Sequence, residues 1–428
     1  NFFEGDKVVV TLPGAVLPGP FPIAARKTYG HVSDGMIASA KELGLGDEHS
    51  GILRLTELGL DSDEDAPVGA DAIALLGLDD AAIDVNVTPD RGYALSVRGI
   101  AREYSHATGA AFRDPGVRDF EELEHPATGF DVAVDDQAPI RDRVGASEFA
   151  VRVVSGVDPS RPTPPWMVAR LSLAGIRSLG ILIDITNYVM VELGNPIHGY
   201  DLDKLTGGIT VRRATPGEKL TTLDGKERTL DGEDLLITDE SGPIGLAGVM
   251  GGGTTEMTDA TRNVLIEAAI FDTVTIARTA RRHKLPSEAS RRFERGVDPL
   301  LPFVAARRVA DLMVELAGGT LEPVGGALFS EVFLEAIDLP RGFVAGLIGV
   351  DYTDHEVVSA LETIGAEVSE TDAGYEVIPP SWRPDLTDKW TLAEEVARIH
   401  GLDRVPSVLP TAPSGRGLTD AQKGRRRV

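Results

Sequence analysis

The sequence has 428 residues, 42% of them apolar, no cysteine and a formal net charge of −25. This length suggests two to four domains, and the lack of an apolar run of about 20 residues excludes a transmembrane helix. Without cysteine there is no disulfide and no thiolate metal site. The charge disfavours non-specific binding of nucleic acid, and no DNA partner is expected. The N-terminus lacks the basic and apolar regions of a signal peptide, so we expect a cytoplasmic protein.

The first 83 residues are typical of short β-strands joined by Gly/Pro turns. Lys7–Leu12 predicts a strand that the pair Pro13-Gly14 ends. Residues 32–45 predict a turn, a strand and a short helix. We therefore expect a small, mostly β domain over 1–83.

Residues 84–127 predict a second small domain. Its helix carries Leu95, Ile100 and Tyr104 roughly on one face and ends at Gly109. An acidic linker containing proline is expected from about 114 to 142.

The largest predicted domain covers 128–335. A hairpin is predicted over Lys219–Leu230, because Asp224-Gly225 is the preferred pair for a type I′ turn, in which both positions need positive φ. The run Asp184–Leu202 predicts a buried strand that ends in polar residues, and strand formation does not explain these residues. Those polar residues make it the first candidate for a functional site.

Residues 336–411 predict a separate small α/β domain. Thr353 and Glu356 form a capping box for a helix that Gly365 ends, and a second helix is predicted over Leu392–His400. Residues 412–428 are polar and are expected to begin a further, truncated domain.

A basic stretch between Ile276 and Gly296 stands out from this acidic chain. It is either the solvated face of a helix or a docking surface for an RNA backbone. Its cationic residues are Arg278, Arg281, Arg282, Lys284, Arg291, Arg292 and Arg295.

Several motifs, in one order, resemble an internal part of the bacterial phenylalanine–tRNA ligase β-subunit family. They are Thr88-Pro-Asp-Arg91, Thr186-Asn-Tyr-Val189, Leu246-Ala-Gly-Val-Met-Gly-Gly252, Glu267-Ala-Ala269 and Glu288-Ala-Ser-Arg-Arg-Phe-Glu-Arg-Gly296. The resemblance implies a multidomain α+β fold. Its parts would be a partial oligonucleotide-fold β-barrel, a small N-terminal-type α/β domain, a large α+β editing domain and a small α/β domain with a helix-turn-helix-like fold.

The resemblance also implies that the 128–335 domain removes wrongly attached tyrosine from tRNA. An apolar pocket rejects an added hydroxyl only weakly, so a second pocket must bind the phenol and hydrolyse the ester. Glu267 matches the family's editing glutamate and would accept the phenol proton. His198 would orient or polarise the attacking water, and Thr186 and Asn187 would hold the water or the terminal ribose.

Each of these residues also has a structural interpretation. Glu267 could face water or an arginine at a strand end, His198 could be a packed side chain, and Thr186 and Asn187 could bond the backbone. The resemblance further assigns the pocket wall to Pro196, Gly251, Gly252, Ser287 and Ala289. The two glycines would admit the substrate closely or form a tight turn.

The resemblance implies Mg²⁺ shared with an α subunit, at Asp385, Glu394 and Glu395. Thr391 stands where a fourth carboxylate is often found, and Thr391 with Glu394 could instead be a helix capping box. The implied partners are the α subunit and tRNA-Phe, in an α2β2 assembly that uses ATP which this chain does not bind. Two rival functions stay open, a freestanding aminoacyl-tRNA deacylase and a non-catalytic scaffold that docks tRNA.

Overall fold

The computed structural model describes residues 2–46, 51–117, 128–329, 334–408, 415 and 417–427. Backbone contacts divide the chain into two units, Asn1–Leu334 with Ser381–Asp385, and Glu335–Pro380 with Leu386–Val428. Both units mix helices and strands, so the fold is α+β. Within the described ranges, no helix is long and apolar enough to cross a membrane. Residues 118–127 of the predicted linker and residues 412–414, 416 and 428 of the predicted last domain lie outside the described residues.

The N-terminal part of the first unit consists of short strand pairs. Its strands are β1 (Val10–Thr11), β2 (Val16–Leu17), β3 (Phe21–Pro22), β4 (Arg26–Thr28), β5 (His31–Ser33) and β6 (Met36–Ile37). β1 pairs with β6, β2 with β3, and β4 with β5. The strand predicted over Lys7–Leu12 is thus much shorter. The short helix predicted within 32–45 is replaced by turns. Ser39 and Glu42 do form a capping box, but Gly44, with a φ of 74°, ends the segment before a helix develops.

Two helices follow, α1 (Ala72–Leu76) and α2 (Val97–Thr108). The Ser96 hydroxyl accepts from the Gly99 N–H at the start of α2, and Gly109 ends the helix with a φ of 72°. The helix predicted in this region is confirmed, including its terminating glycine.

Two five-stranded sheets form the centre of the first unit, with the strand orders β10-β17-β9-β18-β7 and β16-β15-β14-β11-β8. The strands of these sheets are β7 (Thr128–Gly129), β8 (Val132–Asp135), β9 (Ala146–Ser155), β10 (Ile197–Asp201), β11 (Ile209–Arg213), β14 (Leu235–Asp239), β15 (Gly242–Leu246), β16 (Met250–Gly251), β17 (Val264–Phe271) and β18 (Thr320–Leu328). A separate two-stranded sheet is formed by β12 (Lys219–Thr221) and β13 (Glu227–Thr229). The helices are α3 (Pro165–Leu173), α4 (Ile181–Leu193), α5 (Thr273–His283), α6 (Glu288–Phe293) and α7 (Leu301–Ala317). The linker expected from about 114 to 142 is therefore predicted too long. β7 and β8 lie within that range, β7 pairs in parallel with β18, and β8 pairs in parallel with β11.

Alternation along the strands divides the apolar residues into two cores. Val151 and Leu265 belong to the core between the two sheets. Ala150 and Ile266, one position along each strand, belong to the core between the first sheet and helices α4 and α7. Because successive side chains of a strand point to opposite faces, each residue's position in its strand decides which core it enters.

The strand predicted at the start of Asp184–Leu202 is wrong. Residues 181–193 form α4, and the strand β10 begins only at Ile197. A continuously apolar segment does not distinguish a buried helix from a buried strand, and α4 buries Ile181, Ile185 and Val189 in the core facing α7.

The predicted hairpin forms from β12 and β13, but its turn is not type I′. Gly225 has a φ of 75°, whereas Asp224 is not among the residues with positive φ. The Gly225 N–H donates to the Thr222 carbonyl at 2.8 Å, and the Asp224 carboxylate accepts from the Thr222 hydroxyl at 2.6 Å. This side-chain bond favours a five-residue loop over the two-residue turn.

The second unit contains β19 (Ile337–Pro340), α8 (Phe343–Ile348), α9 (Asp354–Thr363), β20 (Glu367–Thr371), β21 (Gly374–Ile378), α10 (Lys389–His400) and α11 (Asp420–Arg425). The capping box of Thr353 and Glu356 at α9 is confirmed. The capping box suggested for Thr391 and Glu394 is wrong. Asp388 caps α10, and the Thr391 hydroxyl donates to the Asp388 carbonyl inside the first turn.

Asp184 fixes the start of α4 and generates a stability prediction. Its fully buried carboxylate accepts hydrogen bonds from the Thr163 and Ser178 hydroxyls and from the Leu179 N–H. Asp184→Ala leaves these donors without an acceptor and should lower the free energy of unfolding by about 2–4 kcal/mol. Urea denaturation measures this loss. The exposed Asp259→Ala is the control and should stay within about 0.5 kcal/mol of the native chain, and an equal effect of both variants would contradict this role of Asp184.

Candidate functional site

The pairing of β10 with β17 brings His198 and Glu267 together. The strands are antiparallel, with His198 directly opposite Glu267 and Tyr200 opposite Leu265. Residues directly opposite in such a pair have Cβ atoms about 4.5–5.5 Å apart on the same face. His198, Tyr200 and Glu267 therefore share the face of the sheet that looks into the core between the two sheets.

Glu267 is a buried carboxyl with a phenol as its partner. Its exposed fraction is 5%, and its Oε2 accepts a hydrogen bond from the Tyr200 hydroxyl. Burial raises the pKa of Glu267 to about 7, and the hydrogen bond from Tyr200 acts in the opposite direction. Burial and the neighbouring carboxylate raise the pKa of Tyr200 well above its ordinary value. Tyr200 thus stays protonated and able to donate.

His198 is a neutral imidazole with a free nitrogen. Burial lowers its pKa to about 4, and its Nε2 is buried without a hydrogen-bond partner among the described residues. Its ring contacts that of Tyr200 edge to face, with 4.5 Å between centroids and 79° between planes. A buried polar atom without a partner costs free energy, and here it offers a binding position for water or substrate.

Gly251 lies against the imidazole. A Cβ atom at this position would stand 2.5 Å from Cε1 of His198 and 2.8 Å from its Nε2. At Gly252, a Cβ atom would stand 2.5 Å from the carbonyl oxygen of Ile244. Close approach thus explains both glycines, and the positive φ of a tight turn belongs instead to Gly248.

The Asn195-Pro196 pair anchors the entry to β10. Asn195 is fully buried, and its Nδ2 donates to the carbonyls of Pro196 and Ala269. This ties the start of β10 to the strand that carries Glu267. Asn195 and Tyr200 were not predicted from the sequence as parts of the site. For Tyr200 a signal was present, since it lies two residues after His198 and therefore on the same face of a strand.

The other predicted site residues occupy neighbouring elements. Thr186 and Asn187 lie on α4, which packs against β10, and the Thr186 hydroxyl donates to the Ile183 carbonyl, a helix-internal bond. Ser287 caps α6, and its hydroxyl donates to the Val249 carbonyl at 2.8 Å. Ala289 packs, half-buried, against the core between the sheets. Ser287 thus ties α6 to the segment that leads into Gly251.

The matches with known proteins follow this arrangement. A B3/4 domain model matches residues 145–318, and a tRNA synthetase B5 domain model matches residues 337–402. The chain is 67% identical to the phenylalanine–tRNA ligase β subunit of Leifsonia xyli subsp. xyli, over all of this chain and 50% of that protein. It is 52% identical to the same subunit of Streptomyces avermitilis, over all of this chain and again 50% of that protein.

The chain belongs to the phenylalanine–tRNA ligase β-subunit family. It spans about half the length of the curated relatives that it matches. A solved N-terminal fragment of the phenylalanyl-tRNA synthetase β-subunit from Pyrococcus horikoshii covers 73% of this chain and 84% of that chain. Its 15% identity and TM-score of 0.36 are too low to define the fold.

The carboxylates that the family resemblance assigns to Mg²⁺ do not fit a metal site. Asp385 accepts two hydrogen bonds from the Arg383 guanidinium, at 2.9 and 2.7 Å. Glu395 has an exposed fraction of 1% and pairs with Arg398 at 2.7 Å, and Glu394 also has an interaction partner. Across the described ranges, no group of three or more His, Asp or Glu side chains is arranged to hold a metal ion.

The basic stretch on α5 and α6 is partly neutralised by the protein itself. Arg278 and Arg282 pair with Glu233 at 2.6 and 2.5 Å, and Arg292 is buried against Glu288. Arg281 and Lys284 are exposed, with no ion pair found for either within the described ranges. The surface available to an RNA backbone is therefore smaller than the sequence suggests.

The raised pKa of Glu267 generates a prediction for stability against pH. In the unfolded chain the carboxyl ionises near its ordinary value of 4.5, and in the folded chain near about 7. The stabilisation from its bound proton is fully present below the unfolded pKa and is lost as pH rises through the folded pKa. Between these two pKa values the native chain therefore loses stability as the pH rises, whereas Glu267→Gln cannot titrate and does not. The free energy of unfolding of Glu267→Gln, relative to that of the native chain, should rise across this pH range by an amount on the order of 3 kcal/mol.

Urea denaturation at a series of pH values measures this difference. The exposed Glu240→Gln serves as the control and should show no such rise. A pH-independent difference between Glu267→Gln and the native chain would contradict the raised pKa.

Proposed function

We propose that this chain is the editing part of a phenylalanine–tRNA ligase β subunit and hydrolyses tyrosine wrongly esterified to tRNA-Phe. The observation that carries the proposal is the buried Glu267 carboxyl beside the neutral His198. Glu267 already accepts a hydrogen bond from a phenol, that of Tyr200. Its oxygens therefore suit the one group that distinguishes tyrosine from phenylalanine.

The selectivity follows from desolvation. The phenol of a bound tyrosyl ester would donate a second hydrogen bond to Glu267, in addition to that from Tyr200. A bound phenylalanyl ester would cover the same carboxylate without supplying this second donor. A site that hydrogen-bonds a substrate hydroxyl discriminates strongly against the analogue that lacks it. The site would thus prefer tyrosine over phenylalanine, whereas an apolar pocket prefers phenylalanine.

In the hydrolysis, a water oxygen attacks the ester carbonyl carbon, and the bond from that carbon to the ribose oxygen breaks. The ribose oxygen takes up a proton, and tyrosine leaves as the free acid. An imidazole with a pKa of about 4 is a weak base near neutral pH, so His198 would orient the water through Nε2 rather than hold its proton. No step requires a metal ion or ATP.

The wider assembly is part of the same proposal. The α subunit would carry aminoacylation with ATP and phenylalanine, and any Mg²⁺ that this chemistry uses would be held there. The chain would work in a cytoplasmic α2β2 complex on tRNA-Phe. The presence of a tRNA synthetase B5 domain beside the B3/4 domain favours a ligase subunit over a freestanding deacylase.

Substrate selectivity tests the editing assignment. The chain, or the assembly containing it, should deacylate Tyr-tRNA-Phe at least about a hundredfold faster than Phe-tRNA-Phe, and Glu267→Ala should remove most of that preference by deleting the acceptor. Release of the labelled amino acid measures both rates, and Glu240→Ala is the exposed control. Equal rates on both esters before mutation would indicate a non-specific deacylase, and no hydrolysis of either would indicate a scaffold.

Binding of uncharged tRNA is predicted to be weak and strongly salt-dependent, because the total charge of −25 opposes phosphate contacts. Arg281→Ala with Lys284→Ala should weaken it further and lower the slope of log affinity against log salt by about one to two. Arg278→Ala, which removes a cation already paired with Glu233, should change it less. Filter binding at low and physiological salt measures these effects, and tight, salt-insensitive binding would contradict this account.

A further inference from the structure

Tyr200 is a buried phenol that the proposed hydrolysis does not use. It is 1% exposed and is among the largest fully buried side chains of the chain. Its hydroxyl donates to Oε2 of Glu267, and its ring contacts His198. One side chain thus touches both groups that the editing proposal requires.

We propose that Tyr200 is a positioning residue for editing, whose hydroxyl holds Glu267 as an oriented, charged acceptor for the substrate phenol. The inference rests on the proposed function and deepens it by naming what prepares the acceptor. A carboxylate has two oxygens and about four acceptor positions. Tyr200 occupies Oε2, so the carboxyl plane is fixed while Oε1 keeps its capacity to accept from a second phenol.

Among the groups around Glu267, Tyr200 is the one that can orient its carboxylate. On the neighbouring strand β10, the titratable side chains on the same face are Tyr200 and His198. On the other side, β9 places the apolar Val151 opposite Glu267. Within the described ranges, no cation pairs with Glu267, and Tyr200 is its one hydrogen-bond donor.

The physical consequence concerns the charge of the acceptor. A protonated carboxyl would present its own hydrogen to the substrate phenol, whereas an ionised one accepts at both oxygens. A hydrogen bond to the charged form favours that form. Tyr200 counteracts burial, which by itself raises the pKa of Glu267, and so extends the pH range in which Glu267 is an acceptor.

The test uses the pH dependence of Tyr-tRNA-Phe hydrolysis by this chain. Tyr200→Phe keeps the ring that packs on His198 and removes only the donor. The rise of the rate with pH, set by ionisation of Glu267, should move to the alkaline side by about one pH unit or more. Raising the pH should restore the rate, and hydrolysis of Phe-tRNA-Phe should show no such move. An unmoved profile would overturn the inference.

A second variant retains the hydrogen bond and reverses the expected sign. Tyr200→3-fluorotyrosine, introduced by nonsense suppression, is nearly isosteric and its phenol is a stronger acid, hence a stronger donor. The profile should then move to the acid side. This variant keeps the inference falsifiable if Tyr200→Phe fails to fold. A shift in the same direction for both variants would overturn it.

A spectroscopic readout makes the two proposals separable. The infrared carboxyl band of Glu267, identified by subtracting Glu267→Gln, should titrate near about 7 in the native chain and at higher pH in Tyr200→Phe. The matched control is Tyr375→Phe, which removes a phenol–carboxylate bond to Asp354 at 2.6 Å in the other unit. That control should leave the Glu267 band in place.

The rates on the two esters and the Tyr200→Phe results together distinguish a failure of the editing function from a failure of the role of Tyr200. If the native chain hydrolyses both esters equally, the proposed editing function fails. If the native chain prefers the tyrosyl ester but neither its pH profile nor the Glu267 band moves in Tyr200→Phe, editing stands and the role of Tyr200 is overturned.

Discussion

The antiparallel register of β10 on β17 is the constraint on which the site depends. It places His198 opposite Glu267 and, two residues along, brings the Tyr200 hydroxyl to the same carboxyl. A slip by one residue would turn β10 over and send His198 and Tyr200 to the face that α4 and α7 cover. Asn195 secures this register by bonding the Ala269 carbonyl on the partner strand. A buried carboxyl that would be costly elsewhere therefore acquires a donor and a neutral imidazole from one neighbouring strand.

Parts of the fold that local chemistry decides could be predicted from the sequence. The helix ending at Gly109 and the capping box at Thr353 rest on short-range bonds, and both are present. Residues 181–193 could not be assigned, because an apolar run that is buried on several sides has no diagnostic period. The turn at Asp224 and the cap of α10 at Asp388 depend on which of several nearby polar side chains bonds the backbone. The sequence does not rank those alternatives.

The candidate site shows the same division. Glu267 and His198 could be selected from sequence context, but their mutual position depends on a strand pairing across 69 residues of chain that local pattern does not specify. Tyr200 was missed because its importance comes from the partner that this register supplies. The basic stretch was overestimated for a related reason. Arg278 and Arg282 have partners at Glu233, more than forty residues earlier in the chain.

Selective editing, as proposed, requires that Glu267 accept a hydrogen bond from the phenol of a tyrosyl group beside His198. A crystal structure of the chain with bound tyrosine tests it most directly. We expect the tyrosine phenol oxygen within about 3 Å of one Glu267 carboxylate oxygen, with the Tyr200 hydroxyl still bonded to the other oxygen and the amino-acid carboxyl on the His198 side. Tyrosine bound with its phenol away from Glu267, or phenylalanine bound equally well in the same place, would show that Glu267 is not the acceptor that selects tyrosine.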